Sequence, residues 1–354
     1  MHDFLKSHFK GFTMGRNELI DLMRALGLSS YEAKAYTALL LHGPLTSTEL
    51  ASHGGIPQPR VYDIIRGLVE KGLVQISHGR PKKFSAISPE VALKNYVMRR
   101  NLKELEIYSR VIDELKSTHI AKEEIGVWTT LGIEGALSLT NQALQLVENE
   151  LLIAAYTDFL GHVISALKRD ISTCLVLYDV ENRTQELQER VDELRFKPTH
   201  GPIIVIPDMM YVLVIAGWNE GRPTSYKVTD DYLKRLLMEY FLGYLRGTSK
   251  LVSSRMDRIF ERRYVHLVRA VDHIRALQSL DYDVRVLVEG RWTKTGEHAV
   301  LSGRPIRYVE NSLKGIESLI LRTDEGIELS VGGLGAHLED FEAIKLAVKA
   351  KTRD

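Results

Sequence analysis

The sequence lacks the features that define several protein classes. Cys174 is its only cysteine, which excludes an internal disulfide or a cysteine-rich zinc site and favours a reducing, cytoplasmic location. No apolar run reaches the roughly 18 residues of a membrane helix. The first 13 residues lack the apolar core of a signal peptide, and Met14 is an alternative start. Because the net charge is only +1, binding to nucleic acid has to come from a local basic patch.

The residue patterns of common active sites are also missing. His266 and His273 are seven residues apart on a predicted helix, without a third ligand at metal-binding spacing. The glycines of Gly332-Gly333-Leu334-Gly335 follow a predicted strand but lack the lysine and the spacing of a phosphate loop. We therefore predict no catalytic residues, no metal site and no cofactor.

A DNA-binding turn and helix is predicted within residues 54–72, which read GGIPQPRVYDIIRGLVEKG. Two capping boxes upstream, Ser29–Glu32 and Thr46–Glu49, predict the starts of two further helices. The third helix is predicted to begin at Ile56 or Pro57 and to end just before the last glycine. A helix of this kind, preceded by a glycine turn, is shaped to enter the major groove.

A hairpin predicted after this helix, with strands Leu73–Ile76 and Lys83–Ile87, completes a winged helix-turn-helix over residues 14–88. The predicted DNA contacts are Gln58, Arg60 and Tyr62 in the helix and Arg80, Lys82 and Lys83 in the wing. Gln and Arg pair with base edges, and wing cations lie along phosphates. The alternatives are a three-helix packing unit and a solvated basic face. Arg99 and Arg100 are assigned to no role.

One long helix without glycine or internal proline is predicted from Pro89 to about His119, as a linker over residues 89–121. Apolar side chains recur along it at a seven-residue spacing. They are Val91, Met98, Leu105 and Ile112 at one core position and Tyr108 and Leu115 at the other. Lys94 and Asn101 interrupt this seam. It indicates a homodimer contact, with packing on the next domain as the alternative.

Strands and helices alternate from Gly126 onwards, which predicts an α/β effector domain over residues 122–282. Short strands dominate after Val284 and predict a small β-rich lobe over residues 283–354. The elements predicted in these two parts include helices Gln185–Phe196 and Glu261–Gln278 and strands His298–Ser302 and Ile306–Glu310. The expected fold class is therefore α+β and multidomain.

Both ends of the chain resemble one known family, the TrmB family of archaeal sugar-responsive transcriptional regulators. The N-terminal segments that carry the resemblance are Gly55-Ile56-Pro57, Arg60-Val61-Tyr62-Asp63 and Lys71-Gly72-Leu73-Val74. The C-terminal segments are Ser302-Gly303-Arg304, Glu325-Gly326, Val331-Gly332-Gly333 and Glu339-Asp340. The N-terminal motif is the more specific of the two.

The resemblance implies a dimeric repressor or activator whose winged helix binds promoters. It also implies a mono- or disaccharide effector of the maltose, trehalose or glucose class. The α/β part of such proteins looks like a phospholipase D fold without catalysis. Gly333 and Glu339 match the family's sugar contacts, and Glu317 stands where the family has an asparagine, which could donate as well as accept hydrogen bonds. Gln58-Pro59 replaces a more usual aromatic-Asn pair, which leaves the operator sequence open.

Two alternative functions belong to other classes. One is an architectural, chromatin-like protein that coats DNA and carries a vestigial sensor domain. The other is a phosphodiesterase-like or sugar-processing enzyme with an added winged helix, for which the sequence supplies no nucleophile or metal site. The sequence leaves open the effector, the target genes and the direction of regulation.

Overall fold

The computed structural model describes residues 15–117, 124–179, 184–311 and 316–352. The chain divides into two compact units, Met1–Lys122 and Glu123–Asp354. One hydrophobic core lies in the first unit and two lie in the second. Within the described ranges, no helix combines the length and the apolar character that a membrane crossing requires.

The first unit consists of helices and one hairpin. Its elements are α1 (Arg16–Ala25), α2 (Ser30–His42), α3 (Ser47–Gly54), α4 (Val61–Glu70), β1 (Val74–Ser77), β2 (Lys83–Ala86) and α5 (Pro89–Ser117). Both predicted capping boxes are confirmed. The Ser29 N–H donates to the Glu32 carboxylate at 2.8 Å, and the Thr46 N–H donates to Glu49 at 2.8 Å.

The predicted third helix is wrong over its first turn. Residues Gln58–Arg60 form a tight 3-10 turn, in which the Arg60 N–H donates to the Pro57 carbonyl at 2.9 Å, and only then does α4 begin. Pro59 has no N–H and restricts the residue before it, so the chain cannot enter a regular α-helix at Pro57. The predicted inward face of α4 is buried as expected: it consists of Val61, Ile64, Ile65 and Leu68.

The wing is an antiparallel hairpin as predicted, with Ile76 paired to Phe84. Leu45, in the segment between α2 and α3, exchanges two backbone hydrogen bonds with Phe84, at 2.9 and 2.8 Å. The Phe84 side chain is buried in the core of the first unit. The wing is therefore fixed to the helices by backbone pairing as well as by packing.

The linker helix α5 extends over most of the predicted range, and residues 118–121 lie outside the described residues. Five of its six seam side chains are exposed in the single chain, with Leu105 at 60% and Tyr108 at 62% of full accessibility, and Ile112 is half-buried. Since large apolar side chains at regular spacing are rarely left in water on a long helix, this face is unpartnered in the monomer.

The second unit begins with a mixed eight-stranded sheet in the order β10-β6-β5-β4-β7-β8-β9-β3. Its strands are β3 (Val127–Leu131), β4 (Glu150–Ala155), β5 (Ser172–Leu177), β6 (Glu193–Phe196), β7 (Ile203–Pro207), β8 (Val212–Ala216), β9 (Thr224–Val228) and β10 (Lys250–Ser254). Only the β4–β5 and β5–β6 pairs are parallel. The α-helices in this stretch are α6 (Gly132–Leu146), α7 (Thr157–Val163), α8 (Thr184–Arg190) and α9 (Asp231–Glu239).

The helix predicted over Gln185–Phe196 is wrong at its end. Helix α8 stops at Arg190, and Glu193–Phe196 is strand β6, which pairs with both β5 and β10. Pairing on two sides, with Glu193 and Leu194 buried, decides the conformation of this segment. Tertiary contacts therefore override a helical pattern in the local sequence.

A six-stranded antiparallel sheet follows, in the order β11-β16-β12-β13-β14-β15, and a parallel contact between β15 and β16 curls it back on itself. Its strands are β11 (Glu261–Tyr264), β12 (Asp283–Trp292), β13 (His298–Asn311), β14 (Ile316–Thr323), β15 (Glu328–Gly332) and β16 (Phe341–Lys351). Helix α10 (Leu267–Ser279) packs on this sheet.

Three predictions about this second sheet are corrected. Glu261–Tyr264 is a strand paired to β16 and not the start of a helix. The two strands predicted within residues 298–310 are one continuous strand, β13. Strand β16 was not predicted at all. The elements that build this sheet therefore start at Glu261, ahead of the predicted lobe at residue 283; the other domain limits stay predictions.

Candidate functional site

The front of the recognition segment presents three exposed side chains, those of Gln58, Arg60 and Tyr62. The Gln58 amide donates to the Thr48 hydroxyl at 3.3 Å, and the Arg60 guanidinium lies 5.8 Å from the centre of the Tyr31 ring. The first is a long hydrogen bond and the second a cation–π contact. Both orient the side chains without removing them from solvent. All three predicted DNA contacts of this segment are therefore accessible, and each has a neighbour on a different element of the first unit.

The wing joins the same face through an aromatic contact. The centres of the Tyr62 and Phe84 rings lie 6.0 Å apart in an edge-to-face arrangement. Phe84 follows Lys83 in strand β2. Arg80, Lys82 and Lys83 are all exposed in and beside the turn of the hairpin. The six predicted DNA contacts are therefore exposed side chains of two elements, the recognition segment and the wing, which touch through Tyr62 and Phe84.

Two arginines that sequence reasoning left without a role connect α5 to the helices of the winged domain. The Arg99 guanidinium donates to the Lys71 carbonyl at 2.6 Å, and the Arg100 guanidinium donates to the Leu26 carbonyl at 2.9 Å. These carbonyls belong to the C-caps of α4 and α1. A cation at a helix C-terminus satisfies free carbonyls and complements the helix dipole.

The turn glycines next to these carbonyls explain the close approach. Gly27 and Gly72 have φ angles of +98° and +71°, which glycine adopts without strain. A Cβ atom at Gly72 would lie 2.7 Å from Arg99 Nη2, and one at Gly27 would overlap the Arg100 guanidinium. The signal in the sequence was the pair of helix-closing glycines together with two adjacent arginines on the next long helix.

A cavity of about 300 Å³ lies in the second unit. Side chains of the β7–β8 turn, α9, the segment before α10, the loop after β15 and strand β16 surround it. They are Asp208, Met209, Asp231, Lys234, Arg235, Val265, Leu334, Ile344 and Lys345. Both sheets thus contribute to one concave surface.

Neither Gly333 nor Glu339, the described residues matched to the family's sugar contacts, is among the residues that line this cavity. Gly333 immediately precedes the lining residue Leu334. The Glu339 side chain is buried and accepts a hydrogen bond from the Ser318 hydroxyl at 2.9 Å. Glu317 belongs to strand β14, but its side chain lies outside the described part of the structure.

Three models of one family match the chain in succession. The model of the sugar-specific transcriptional regulator TrmB matches residues 22–90, and models of the N- and C-terminal subdomains of the TrmB effector-binding domain match residues 126–253 and 259–351. The chain belongs to the TrmB family. It is a transcriptional regulator with a DNA-binding helix-turn-helix, as the resemblance implied.

Several relatives of this TrmB-family chain are named as transcriptional regulators or DNA-binding proteins. The sugar-sensing transcriptional regulator TrmBL1 of Pyrococcus furiosus is 24% identical over 342 residues, which are 93% of this chain and 98% of that protein. The transcriptional repressor TrmBL2 of Thermococcus kodakarensis is 32% identical over 160 residues, 40% of this chain and 58% of that protein. A solved structure of TrmBL2, described as an archaeal chromatin protein, aligns with 67% of this chain and all of its own, at 25% identity and a TM-score of 0.44.

A buried ion network in this TrmB-family chain connects its two C-terminal sheets. Arg269 on α10 contacts Glu150 on β4 at 2.7 Å and Glu193 on β6 at 3.2 Å, and Arg246 contacts Glu193 at 3.0 Å. Burial opposes ionisation of Glu193, but Arg269, Arg246 and Arg195 outweigh it and lower its pKa to about 2. The carboxylate is thus charged at any working pH and holds the two sheets together.

Both histidines noted in the sequence have structural partners. His266, at the start of α10, places Nδ1 2.8 Å from the Glu150 carboxylate, and His273 places Nε2 2.7 Å from the Ile259 carbonyl. Both are buried. Within the described ranges, no cluster of three metal-ligating side chains occurs. His273 is a helix histidine as predicted, whereas His266 is not: it precedes α10 in an extended conformation.

Proposed function

We propose that this TrmB-family regulator binds promoter DNA as a homodimer and that a mono- or disaccharide effector controls its affinity. The observation that carries the proposal is the contact between the recognition segment and the wing through Tyr62 and Phe84, with the six predicted DNA-contacting side chains exposed around it. Proteins of this design place the helix in the major groove and the wing along the backbone.

The six side chains of this face are proposed to divide into two roles. Gln58 and Arg60, at the front of the recognition segment, read base edges, because Gln pairs with adenine and Arg with guanine. Tyr62 supports them from the first turn of α4 and packs on the wing. Arg80, Lys82 and Lys83 contact phosphates, which adds affinity that falls with salt and carries no sequence information.

The homodimer is proposed to form through α5. Most of the seam side chains are exposed, Met98 at 54% and Leu115 at 55% of full accessibility, although they are large and apolar. A second copy of the same helix would cover them in a two-fold contact. Because Arg99 and Arg100 join α5 to the winged helix, the geometry of this dimer would set the separation of the two recognition segments.

The effector is proposed to bind at the cavity beside Gly333, between the α/β domain and the β-rich lobe. A volume of about 300 Å³ is at the lower end of the range for small-molecule sites. Glu339, and Glu317 where the family has asparagine, are the proposed contacts to sugar hydroxyls. An effector that binds two domain arrangements with different affinity shifts their populations and so the DNA affinity. A phospholipase D-like fold for this domain stays a prediction.

Titration calorimetry with maltose, trehalose, glucose and sucrose, combined with DNA-binding assays, tests this proposal. We expect at least one sugar to bind and to change the affinity for DNA. If none binds and none changes DNA affinity, the sensor function is wrong. Footprinting then separates a regulator, which protects a few discrete operators, from an architectural protein that covers DNA uniformly with a steep salt dependence.

The proposed location follows from these partners. A regulator that binds chromosomal DNA acts in the cytoplasm, associated with the nucleoid. The proposal assigns no step of chemistry to the chain, and its partners are double-stranded DNA, a small sugar and a second copy of itself.

A further inference from the structure

Some of the charged side chains around the cavity already have close partners in the protein, and others do not. Three of its nine described lining residues are cations, Lys234, Arg235 and Lys345, and two are carboxylates, Asp208 and Asp231. Lys234 and Asp231 pair with each other at 2.8 Å on successive turns of α9. The charges of this pair cancel. The remaining charged side chains of the lining are one carboxylate, Asp208, and two cations, Arg235 and Lys345.

Asp208 has little capacity left for a ligand. Its carboxylate accepts hydrogen bonds from the N–H groups of Glu148, Asn149 and Glu150, at 2.6, 2.9 and 2.7 Å. These three amides lie at the start of β4 and hold the β7–β8 turn against it. A carboxylate used in this way stabilises the fold and offers few free lone pairs to sugar hydroxyls.

The acceptors next to the cavity are also engaged. Glu342 is bonded to Arg291 and to the N–H of Gly335, the latter at 2.6 Å. Glu339 accepts from Ser318. Asp208 and Glu342 are therefore satisfied mainly by the protein itself, and Glu339, with one hydrogen bond from Ser318, remains as the proposed acceptor of a sugar hydroxyl. A neutral sugar presents several hydroxyl protons and needs more free acceptors than this.

Two donors remain available. Among the residues that the structure describes, neither Arg235 nor Lys345 makes a hydrogen bond or a close ion pair, and both side chains are exposed. Arg235 is near enough to Asp231 and Glu342 to help lower the pKa of both carboxyls, but it has donors left for a ligand. Arg235 reaches over the turn after β15, where a Cβ atom at Gly335 would lie 3.0 Å from its Nη1. The two cations come from different elements, α9 and β16, and line the same space.

The cavity also lacks the usual platform for a neutral sugar. None of its nine described lining residues is aromatic, and its apolar part consists of Met209, Val265, Leu334 and Ile344. Pyranose rings bind most readily where an aromatic face covers their apolar side. A lining of aliphatic side chains and unpaired cations is better suited to a ligand that carries negative charge.

We infer that the effector of this regulator is anionic, a small sugar bearing a phosphate or carboxylate group that Arg235 and Lys345 hold together. This inference rests on the proposed effector site and specifies the class of its ligand. Arg235 can offer two parallel N–H donors to the anion, and Lys345 adds a point charge from the opposite wall. The aliphatic side chains contact the sugar carbons.

Calorimetry on the full chain compares glucose and trehalose with glucose 6-phosphate and trehalose 6-phosphate, and uses gluconate and inorganic phosphate as further probes. We expect one of the charged sugars to bind at least about tenfold more tightly than its neutral parent. Arg235→Gln and Lys345→Gln should each remove about tenfold of that affinity. Lys349→Gln, on the same strand but paired to Glu261 at 2.8 Å, is the matched control and should change nothing.

The outcomes separate this inference from the function on which it rests. If a neutral sugar binds as tightly as its charged derivative, or if the two glutamine variants retain full affinity, the effector is not anionic while the sensor function stands. If inorganic phosphate alone matches the charged sugars, the site recognises only the anion and the sugar assignment is overturned. If no probe of either kind binds or changes DNA affinity, both proposals fail.

Discussion

Individual side chains on the DNA face differ in how they are held. Arg60 lies over the Tyr31 ring and is the last residue of a 3-10 turn that fixes its backbone, whereas Lys82 lies in the turn of the wing with no hydrogen-bond or ion-pair partner among the described residues. A preorganised guanidinium can read a base edge, and a mobile ammonium neutralises a phosphate. Replacing Arg60 or Lys82 by alanine should therefore affect DNA binding in different ways.

Arg60→Ala should cost roughly 1–3 kcal/mol of operator binding and relax the sequence preference at one base pair. Lys82→Ala should weaken binding to all duplexes and lower the salt slope by about one unit. Fluorescence anisotropy with operator and random duplexes, over a range of salt, measures both effects. Equal losses on both duplexes for Arg60→Ala would show that it contacts only the backbone.

The Glu32–Lys71 pair makes the first unit sensitive to acid. Burial opposes ionisation of Glu32, but Lys71 at 2.5 Å and the Ser29 N–H outweigh it, so its pKa is below the ordinary 4.5. A lowered folded-state pKa adds stability that is present above pH ~4.5 and is lost as the pH falls towards the folded value.

Glu32→Gln removes this charge but keeps a capping-box side chain. The variant should be less stable than the wild type at neutral pH, and the difference should shrink between about pH 5 and pH 3. All three tryptophans, Trp128, Trp218 and Trp292, lie in the second unit. An unfolding transition that is seen by circular dichroism but not by tryptophan fluorescence therefore reports on the first unit. A difference that is constant with pH would contradict the assignment.

Glu193 is the most consequential buried carboxylate, because two buried arginines depend on it. Glu193→Gln leaves Arg246 and Arg269 undercompensated and should destabilise the second unit by about 3–5 kcal/mol. Urea unfolding followed by tryptophan fluorescence measures this. Glu186→Gln breaks an exposed pair with Arg190 and should cost less than about 1 kcal/mol. Comparable losses in the two variants would mean that the network contributes little.

At the scale of elements, α5 has one observed contact and one proposed contact. One turn of it, at Arg99 and Arg100, bonds the C-termini of α4 and α1. Its exposed seam is the proposed contact with a second copy. If α5 makes both contacts, it would move together with the winged domain. A change in the dimer contact would then shift the position of the recognition segment.

The Arg99→Ala/Arg100→Ala double variant should loosen the contact between α5 and α4. We expect faster hydrogen exchange at the C-terminus of α4, by about tenfold, because charge-assisted hydrogen bonds of this kind contribute about 1.5 kcal/mol each. Arg110→Ala, on the same helix and paired only to exposed Glu106, is the control. Unchanged exchange in the double variant would mean that packing alone fixes the helix.

A charge in the seam should prevent dimerisation. Leu105→Glu places a carboxylate at a core position of the seam, and like charges would meet across the two-fold axis. Sedimentation velocity should show monomer for this variant and dimer for the wild type, and operator affinity should fall with it. Lys103→Glu, off the seam, should leave the dimer intact. A wild-type monomer at micromolar concentration would rule out this interface.

The elements that could be predicted from sequence are those whose causes are local. The capping boxes at Ser29 and Thr46 and the inward face of α4 needed only neighbouring residues. Strands β6, β11 and β16 could not be read in this way, because pairing with strands far along the chain gives them their conformation. The Glu150–Arg269 contact spans 119 positions, and nothing local distinguishes either residue from a surface charge.

At the scale of the whole molecule, the chain contains one DNA-binding unit and one larger unit with a cavity and a buried ion network. Because the total charge is nearly neutral, DNA affinity should depend on the few cations of the recognition segment and the wing and, in the proposed dimer, on their spacing. Control by an effector then requires only that ligand binding change that spacing. Single contacts on the DNA need not be altered.

Titration of purified full chain with double-stranded oligonucleotides at about 50–100 mM salt tests the central claim most directly. The account predicts saturable binding that weakens with salt, that is reduced by Arg60→Ala and Lys82→Ala, and that changes when the effector is added. Absence of binding to any duplex under these conditions would contradict it.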